Sequence, residues 1–301
     1  MLSILLPSYN NKCYTLVHEL QRQCEEYFAS TEEGKEGYEV IVADDGSRDQ
    51  VALIANLLIN ELPNCRWIRR KENVGRAAIR NFLASEAKGD LLLFMDSDVE
   101  IVRQDFIRAY MEAMKENAGI DIIDGGVVVT GPSLPHNLRY IYEKKAEPLH
   151  TAELRNKVPF QHFHTANIIL RRHVTDKCRY DESLQRYGYE DVLFGKQLAE
   201  AAFRVLHIDN PVGLGTFEAN EIFLRKTRDA MLTLREKESD LRGYSHLLSV
   251  KDRIGSIHML WAVRLFHRLS HSFMERQLCG KSPSLLLFNV WKLGVLTEYD
   301  Y

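Results

Sequence analysis

Along the first half of the chain, short apolar runs alternate with longer stretches whose apolar residues recur every three or four positions. SILL, YEVIVA, RWIR and DLLLFM predict strands over residues 3–6, 38–43, 66–69 and 90–95, and DIIDGGVVV predicts a fifth over 121–129. The intervening pattern predicts amphipathic helices over residues 14–28, 50–61 and 76–87. Strands alternating with helices make βαβ units, hence an α/β fold with a mostly parallel sheet. Ligands of such sheets sit just beyond the carboxyl ends of the strands.

The alternation loosens after GPSLPHN. A polar helix is expected over 136–150, a strand at ANIIL within 160–171, a helix over 190–202 and a last strand over 204–208, before the turn at Asn210 and Pro211. From 218 onward the pattern is helical, which divides the chain into an α/β unit over 1–220 and a helical region over 221–301.

Composition narrows the partners more than the fold. The formal charge of -3 comes from 39 basic and 42 acidic residues dispersed along the chain, so no global field recruits nucleic acid. Five scattered cysteines with no Cys-x-x-Cys pair fit free thiols in a reducing, cytoplasmic setting. The start, MLSILLPSYNN, lacks a basic segment and a cleavage-like site, and no run of 18 apolar residues predicts a membrane span.

Three strand ends carry polar groups: PSYN at 7–10, DDGS at 44–47 and DSD at 96–98. The third is the most informative. Alternate side chains of an extended chain share a face, so Asp96 and Asp98 converge at the end of a buried strand while Ser97 points away. Two converging carboxylates repel, and a divalent cation between them removes the conflict. Hard oxygen ligands suit Mg²⁺ or Mn²⁺, which take further ligands from phosphates.

In order, PSYN, DDGS, ENVGRAAIRN (72–81), MDSD and GYEDVLFG (188–195) resemble the family 2 glycosyltransferases of the GT-A fold, over roughly residues 1–225. The resemblance implies that Pro7, Tyr9, Asn10, Asp44 and Asp45 hold the nucleoside of a nucleotide-sugar donor. It implies that Asn73, Gly75, Arg76, Arg80 and Asn81 lie under the nucleotide sugar. Gly75 opens a helix whose amino end and nearby guanidinium groups favour an anion. Asp96 and Asp98, with Ser97 between them, match the family's D-x-D, which binds ribose and the metal ion bridging the diphosphate. Asp191 matches the general base that takes the proton of the attacking hydroxyl, and Glu190 a group that holds the acceptor or supports the loop. The implied reaction is an inverting transfer from a nucleotide sugar, with a UDP-sugar the expected donor, onto a glycan or lipid-linked acceptor.

His207 is the nearest candidate for a further metal ligand. His162 and His164 alternate on a strand-like segment and read as a substrate wall, since no third zinc ligand is apparent. Arg171 is a candidate phosphate contact. Residues 254–273 interleave Trp261 and aliphatic residues with Arg264 and Arg268, which fits peripheral contact with a membrane surface, a packed helix or a dimer contact. Two other functions compete: a catalytically silent nucleotide-sugar-binding scaffold, and a sugar-nucleotide pyrophosphorylase. PSYNNKCY lacks the glycine- and basic-rich loop that the latter requires, and no Gly-x-Gly-x-x-Gly follows the first strand to support NAD binding.

Overall fold

A strand whose residues are apolar on both faces must be covered on both faces, and the first two strands meet that condition. All seven residues of β2 (Tyr38–Asp44) are buried, as are six of the seven of β1 (Leu2–Ser8). The computed structural model describes residues 1–29, 37–161, 163–184 and 186–298. The remaining strands are β3 (Cys65–Arg69), β4 (Leu91–Met95), β5 (Glu100–Ile101), β6 (Ile122–Asp124), β7 (Val127–Val129), β8 (Asn167–Arg171), β9 (Val205–His207) and β10 (Val212–Leu214). Through the α/β part run helices α1 (Tyr14–Ala29), α2 (Gln50–Leu57), α3 (Arg76–Glu86), α4 (Phe106–Glu116), α5 (Leu138–Ala146), α6 (Ala152–Lys157), α7 (Arg172–Lys177) and α8 (Glu190–Glu200). The carboxy-terminal helices are α9 (Asn220–Glu236), α10 (Glu238–Leu241), α11 (His246–Ser256), α12 (Leu260–Leu278) and α13 (Leu285–Thr297).

The large sheet has the order β3-β2-β1-β4-β8-β6-β9, and β8 runs antiparallel to both of its neighbours. Registers Ser8↔Asp44 and Leu5↔Phe94 bring the ends of β1, β2 and β4 to one edge. Because β8 is reversed, with Asn167 opposite Met95, its beginning arrives at that same edge. One apolar layer packs Leu20, Tyr110 and Phe106 under the sheet, and another packs Leu83, Phe94 and Phe194 over it.

Three expectations need correction. The strand expected over 121–129 is two strands in different sheets, because Gly125 and Gly126 turn the chain between β6 and β7. Gly126 has φ 83°, and a Cβ on Gly125 would collide with the Asn210 carbonyl and the Tyr110 hydroxyl. The strand over 204–208 is not the last: after Pro211, β10 joins β5 and β7 in a small second sheet. The helix expected over 50–61 ends at Leu57 and tightens into a 3₁₀ turn, Leu58–Glu61.

The carboxy-terminal helices share an apolar core with the α/β part: Leu138, Leu184 and Leu193 pack with Leu224, Met231, Trp291 and Val295. All five cysteines are free. Among the described residues no helix is long and apolar enough to cross a membrane.

Candidate functional site

The strand ends open on a cleft of about 650 Å³. Its first wall is the pair of loops after β1 and β2. Asn10, at φ 52°, turns back so that its Oδ1 accepts from the amides of Arg48 and Asp49 at 2.8 and 3.0 Å, and its own amide donates to Ser47 Oγ at 2.7 Å. Asp44 is buried, and its Oδ1 accepts from the Ser47 amide at 2.9 Å, closing the turn. Asp45 accepts from the amides of Val74 and Gly75 at 2.9 and 3.0 Å, tying the second loop to the amino end of α3. Gly46 (φ 74°) admits this approach, because a Cβ there would lie 2.6 Å from the Glu72 carbonyl carbon. Burial raises the pKa of Asp45 although both amides favour its charge.

At the cleft's centre is a buried ionic network. Arg80 is 1% exposed and donates through Nη2 to Asp96 Oδ1 at 2.7 Å. Arg76 reaches Asp96 Oδ2 at 3.4 Å and Glu190 Oε1 at 2.7 Å. Burial works to raise the pKa of Asp96, but Arg80 and Arg76 outweigh it and hold the carboxyl below its usual range. Glu190 goes the other way: burial dominates, Asp191 adds repulsion, and its pKa is raised despite Arg76.

Asp98 differs from Asp96 two residues away. It is exposed toward the cleft and no side chain of the described residues pairs with it; removal from bulk water and then the negative charge of Asp96 raise its pKa. Ser97 between them is held by Asn11, whose Nδ2 donates to its carbonyl at 2.5 Å and to its Oγ at 3.3 Å.

The opposite wall comes from the start of α8. Gly188 (φ 95°) and Tyr189 (φ 66°) are both left-handed, a strained turn for a tyrosine, and they swing Glu190 and Asp191 into the first turn of the helix. Asp191 faces the cleft and accepts from the Thr165 hydroxyl through Oδ1. Thr165 stands just before β8, so the reversed strand supplies the partner of the acid.

The structure therefore brings together Pro7, Tyr9, Asn10, Asp45, Asn73, Gly75, Arg76, Arg80, Asp96, Ser97, Asp98 and Asp191 around one cleft. Asp44 and Glu190 stand behind it, holding a turn and an arginine; Glu190 does not reach the cleft to hold an acceptor hydroxyl. His207 is withdrawn from the metal set. It is buried, with Nδ1 2.8 Å from Arg155 Nη1 and 3.4 Å from Asp124 Oδ2, and Nε2 3.0 Å from the Pro159 carbonyl, so both ring nitrogens are engaged away from Asp96 and Asp98. Arg171 fastens the last turn of α4 and the loop after it instead of meeting a phosphate, donating to the carbonyls of Met114 at 3.4 Å, Ala118 at 3.3 Å and Ile120 at 3.0 Å. Asn81 fastens the segment after α7, donating to the Tyr180 carbonyl at 2.9 Å and accepting from its amide at 3.0 Å. His164 lines the cleft and stacks on His150, while His162 lies outside the described residues.

Residues not singled out beforehand complete the site. Arg139 of α5 and Lys226 of α9 share the carboxylate of Glu218, Lys226 at 3.0 Å, and both line the cleft. Tyr187 is contacted by two cations, Arg76 5.0 Å and Lys226 5.7 Å from its ring centroid. Lys226 shows that a carboxy-terminal helix contributes to the cleft.

A family model described as "Glycosyl transferase family 2" matches residues 3–178, and the chain belongs to that family. Among curated relatives, the minor teichoic acid biosynthesis protein GgaA of Bacillus subtilis is 26% identical over 253 residues, covering 83% of this chain and 52% of that protein. The chain spans about half the length of such relatives, 52% to 60% for the two first matched. Two solved structures share the fold. A mannosyltransferase of Pyrobaculum calidifontis, in complex with GDP-Man and Mn²⁺, aligns with a TM-score of 0.58 at 12% identity, over 99% of this chain and 87% of its own. Staphylococcus aureus TarS 1-349, in complex with UDP-GlcNAc, aligns with a TM-score of 0.52 at 16% identity, over 99% and 89%. The fold is GT-A, with a mostly parallel central sheet, flanking helices and a helical carboxy-terminal extension.

Proposed function

We propose that the protein is an inverting glycosyltransferase that moves a sugar from a nucleotide-sugar donor, with UDP as the nucleotide, to a hydroxyl of a glycan or lipid-linked acceptor of a surface-polysaccharide pathway. The observation that carries this reading is the meeting of five separate segments at one cleft lined by two accessible carboxylates, Asp98 and Asp191. The UDP-GlcNAc complex of TarS and the teichoic acid role of GgaA favour the nucleotide and the acceptor class.

The loops bearing Tyr9, Asn10 and Asp45 hold the nucleoside. Arg76, Arg139 and Lys226 then face the diphosphate. Asp191 accepts the proton of the acceptor hydroxyl, and the hydroxyl oxygen attacks the anomeric carbon from the side opposite the diphosphate. The bond to the diphosphate oxygen breaks, and its electron pair leaves with the nucleoside diphosphate among the fixed cations, with inversion at carbon.

The donor set suits Mn²⁺ or Mg²⁺: Asp98 is a hard oxygen ligand without a protein partner, whereas both oxygens of Asp96 already face arginines. A divalent ion held there by Asp98 and the donor phosphates would neutralise charge on the leaving diphosphate. Among the described residues no group of three or more His, Cys, Asp or Glu side chains is placed to hold an ion, which agrees with phosphate supplying the remaining ligands.

A thermal-shift series against UDP-, GDP-, CDP- and dTDP-sugars, each with and without Mn²⁺, tests the donor. UDP-sugars with metal should raise the midpoint, since a ligand at 100 times its dissociation constant adds about 2.7 kcal/mol. A response confined to another nucleotide would replace UDP, and no response to any would remove the donor reading.

A further inference from the structure

Helix α12 carries an apolar face that nothing among the described residues covers. Its inner face buries His267, Met274 and Leu278, and the latter two pack in one core with Phe288 and Trp291 of α13. Ile257, Trp261, Leu265, Leu269 and Phe273 follow at four-residue spacing on the outer side, with Phe266 and Met259 beside them, and all are exposed. Trp261 is 61%, Phe273 66% and Leu269 79% exposed. A contiguous stripe of this kind marks an interaction surface.

The charge on the stripe selects the partner. Arg268 and Arg276 are exposed and project from this same side of α12. From Arg253 to Lys281 the chain has five Arg or Lys residues and one acid, Glu275. That acid is turned aside, 2.6 Å from Arg228 and 3.2 Å from Trp291 Nε1. A second copy of the chain would set this patch against itself, arginine facing arginine with no carboxylate between them. An anionic lipid surface offers what the face lacks: acyl chains for Leu265, Leu269 and Phe273, an interface for the Trp261 indole, and phosphate headgroups for the arginines.

We propose that α12, with the turn at Ile257–Met259, is a docking surface for a membrane of anionic phospholipid, on which the helix lies in the plane of the interface. The surface is built independently of the transfer chemistry, and its test does not require the enzyme to turn over.

Flotation of the full chain with vesicles tests it, comparing a zwitterionic phospholipid alone with the same lipid containing phosphatidylglycerol. The wild-type protein should float with the anionic vesicles and lose that binding as salt is raised. Each arginine near such a surface is worth roughly a fivefold gain in partition, so Arg268→Gln with Arg276→Gln should weaken binding about 25-fold. Leu269→Glu with Phe273→Glu should remove it, with circular dichroism and melting temperature unchanged because both side chains are exposed. Equal flotation of this variant and the wild type, or no flotation of the wild type, overturns the proposal. So does a wild-type dimer in sedimentation that Leu269→Glu converts to monomer, which assigns the face to a second copy.

Discussion

Two acidic pairs meet at the cleft, joined through Arg76, and they are built alike. In Asp96/Asp98 and in Glu190/Asp191 the first acid is engaged by arginine, Asp96 by Arg80 at 2.7 Å and Glu190 by Arg76 at 2.7 Å. The second acid in each pair opens on the cleft. Since Arg76 also reaches Asp96, one cation network underlies both pairs. In each case one carboxylate is held by arginine and its neighbour, on the proposed function, is the one that meets ligand. Because their surroundings differ, the two acids of each pair are not expected to respond alike to substitution.

The division is tested most severely at Asp191. Asp191→Asn should lower kcat by roughly 10²–10⁴-fold, the usual worth of a general base, while UDP-sugar binding by calorimetry stays within about twofold. Equal loss of donor binding would make Asp191 part of the donor site and end the asymmetry between the walls. Asp96→Asn should act chiefly on stability. It leaves the buried Arg80 guanidinium without its closest anion, and losing one partner of a buried pair costs about 3–5 kcal/mol; because Asp96 is partly exposed, the lower end is expected in chemical denaturation. Glu190→Gln should be milder. Arg76 keeps Asp96, and burial already disfavours the Glu190 charge, so stability should change little, with kcat falling through a displaced Arg76. If Glu190→Gln matched Asp191→Asn in kcat with donor binding intact, Glu190 would touch substrate after all.

Much of this arrangement was legible before the structure. The strands at 3–6, 38–43, 66–69 and 90–95 announced themselves because continuous apolar runs bounded by polar turns have few other uses. The ends of β1, β2 and β4 followed from topology. What pattern could not supply was contact between distant segments. Arg139 and Lys226 lie on amphipathic helices, where a cation on the polar face looks the same whether it meets water or a ligand. His207 looked available because Arg155, its partner, comes from the short helix α6, to which no periodicity pointed. Which of Glu190 and Asp191 faces the cleft depends on the left-handed Gly188 and Tyr189, a rotation set by backbone strain. By contrast α4 was readable and overlooked: Phe106, Ile107, Tyr110 and Met114 already mark one buried helical face.

The smallest expected effect sharpens the comparison furthest, because it has opposite signs for stability and for binding. The pKa of Asp98 is raised by its lost hydration and by Asp96, so the folded protein holds that proton more tightly than the unfolded chain does. Between the ordinary carboxyl pKa and the raised one the unfolded state binds fewer protons, and stability falls as pH rises through that window. Asp96 has the reverse sign: its lowered pKa contributes stability that is present above the ordinary carboxyl range and lost as pH falls below it. Asp98→Asn should therefore raise the melting temperature of the ligand-free protein at neutral pH, while removing the Mn²⁺ dependence of donor binding. In the wild type, donor binding with Mn²⁺ should weaken as pH drops through the raised pKa of Asp98, because the ion requires the carboxylate. A melting temperature lowered by Asp98→Asn would show that Asp98, like Asp96, belongs to the frame, and the two acidic walls would no longer be built alike.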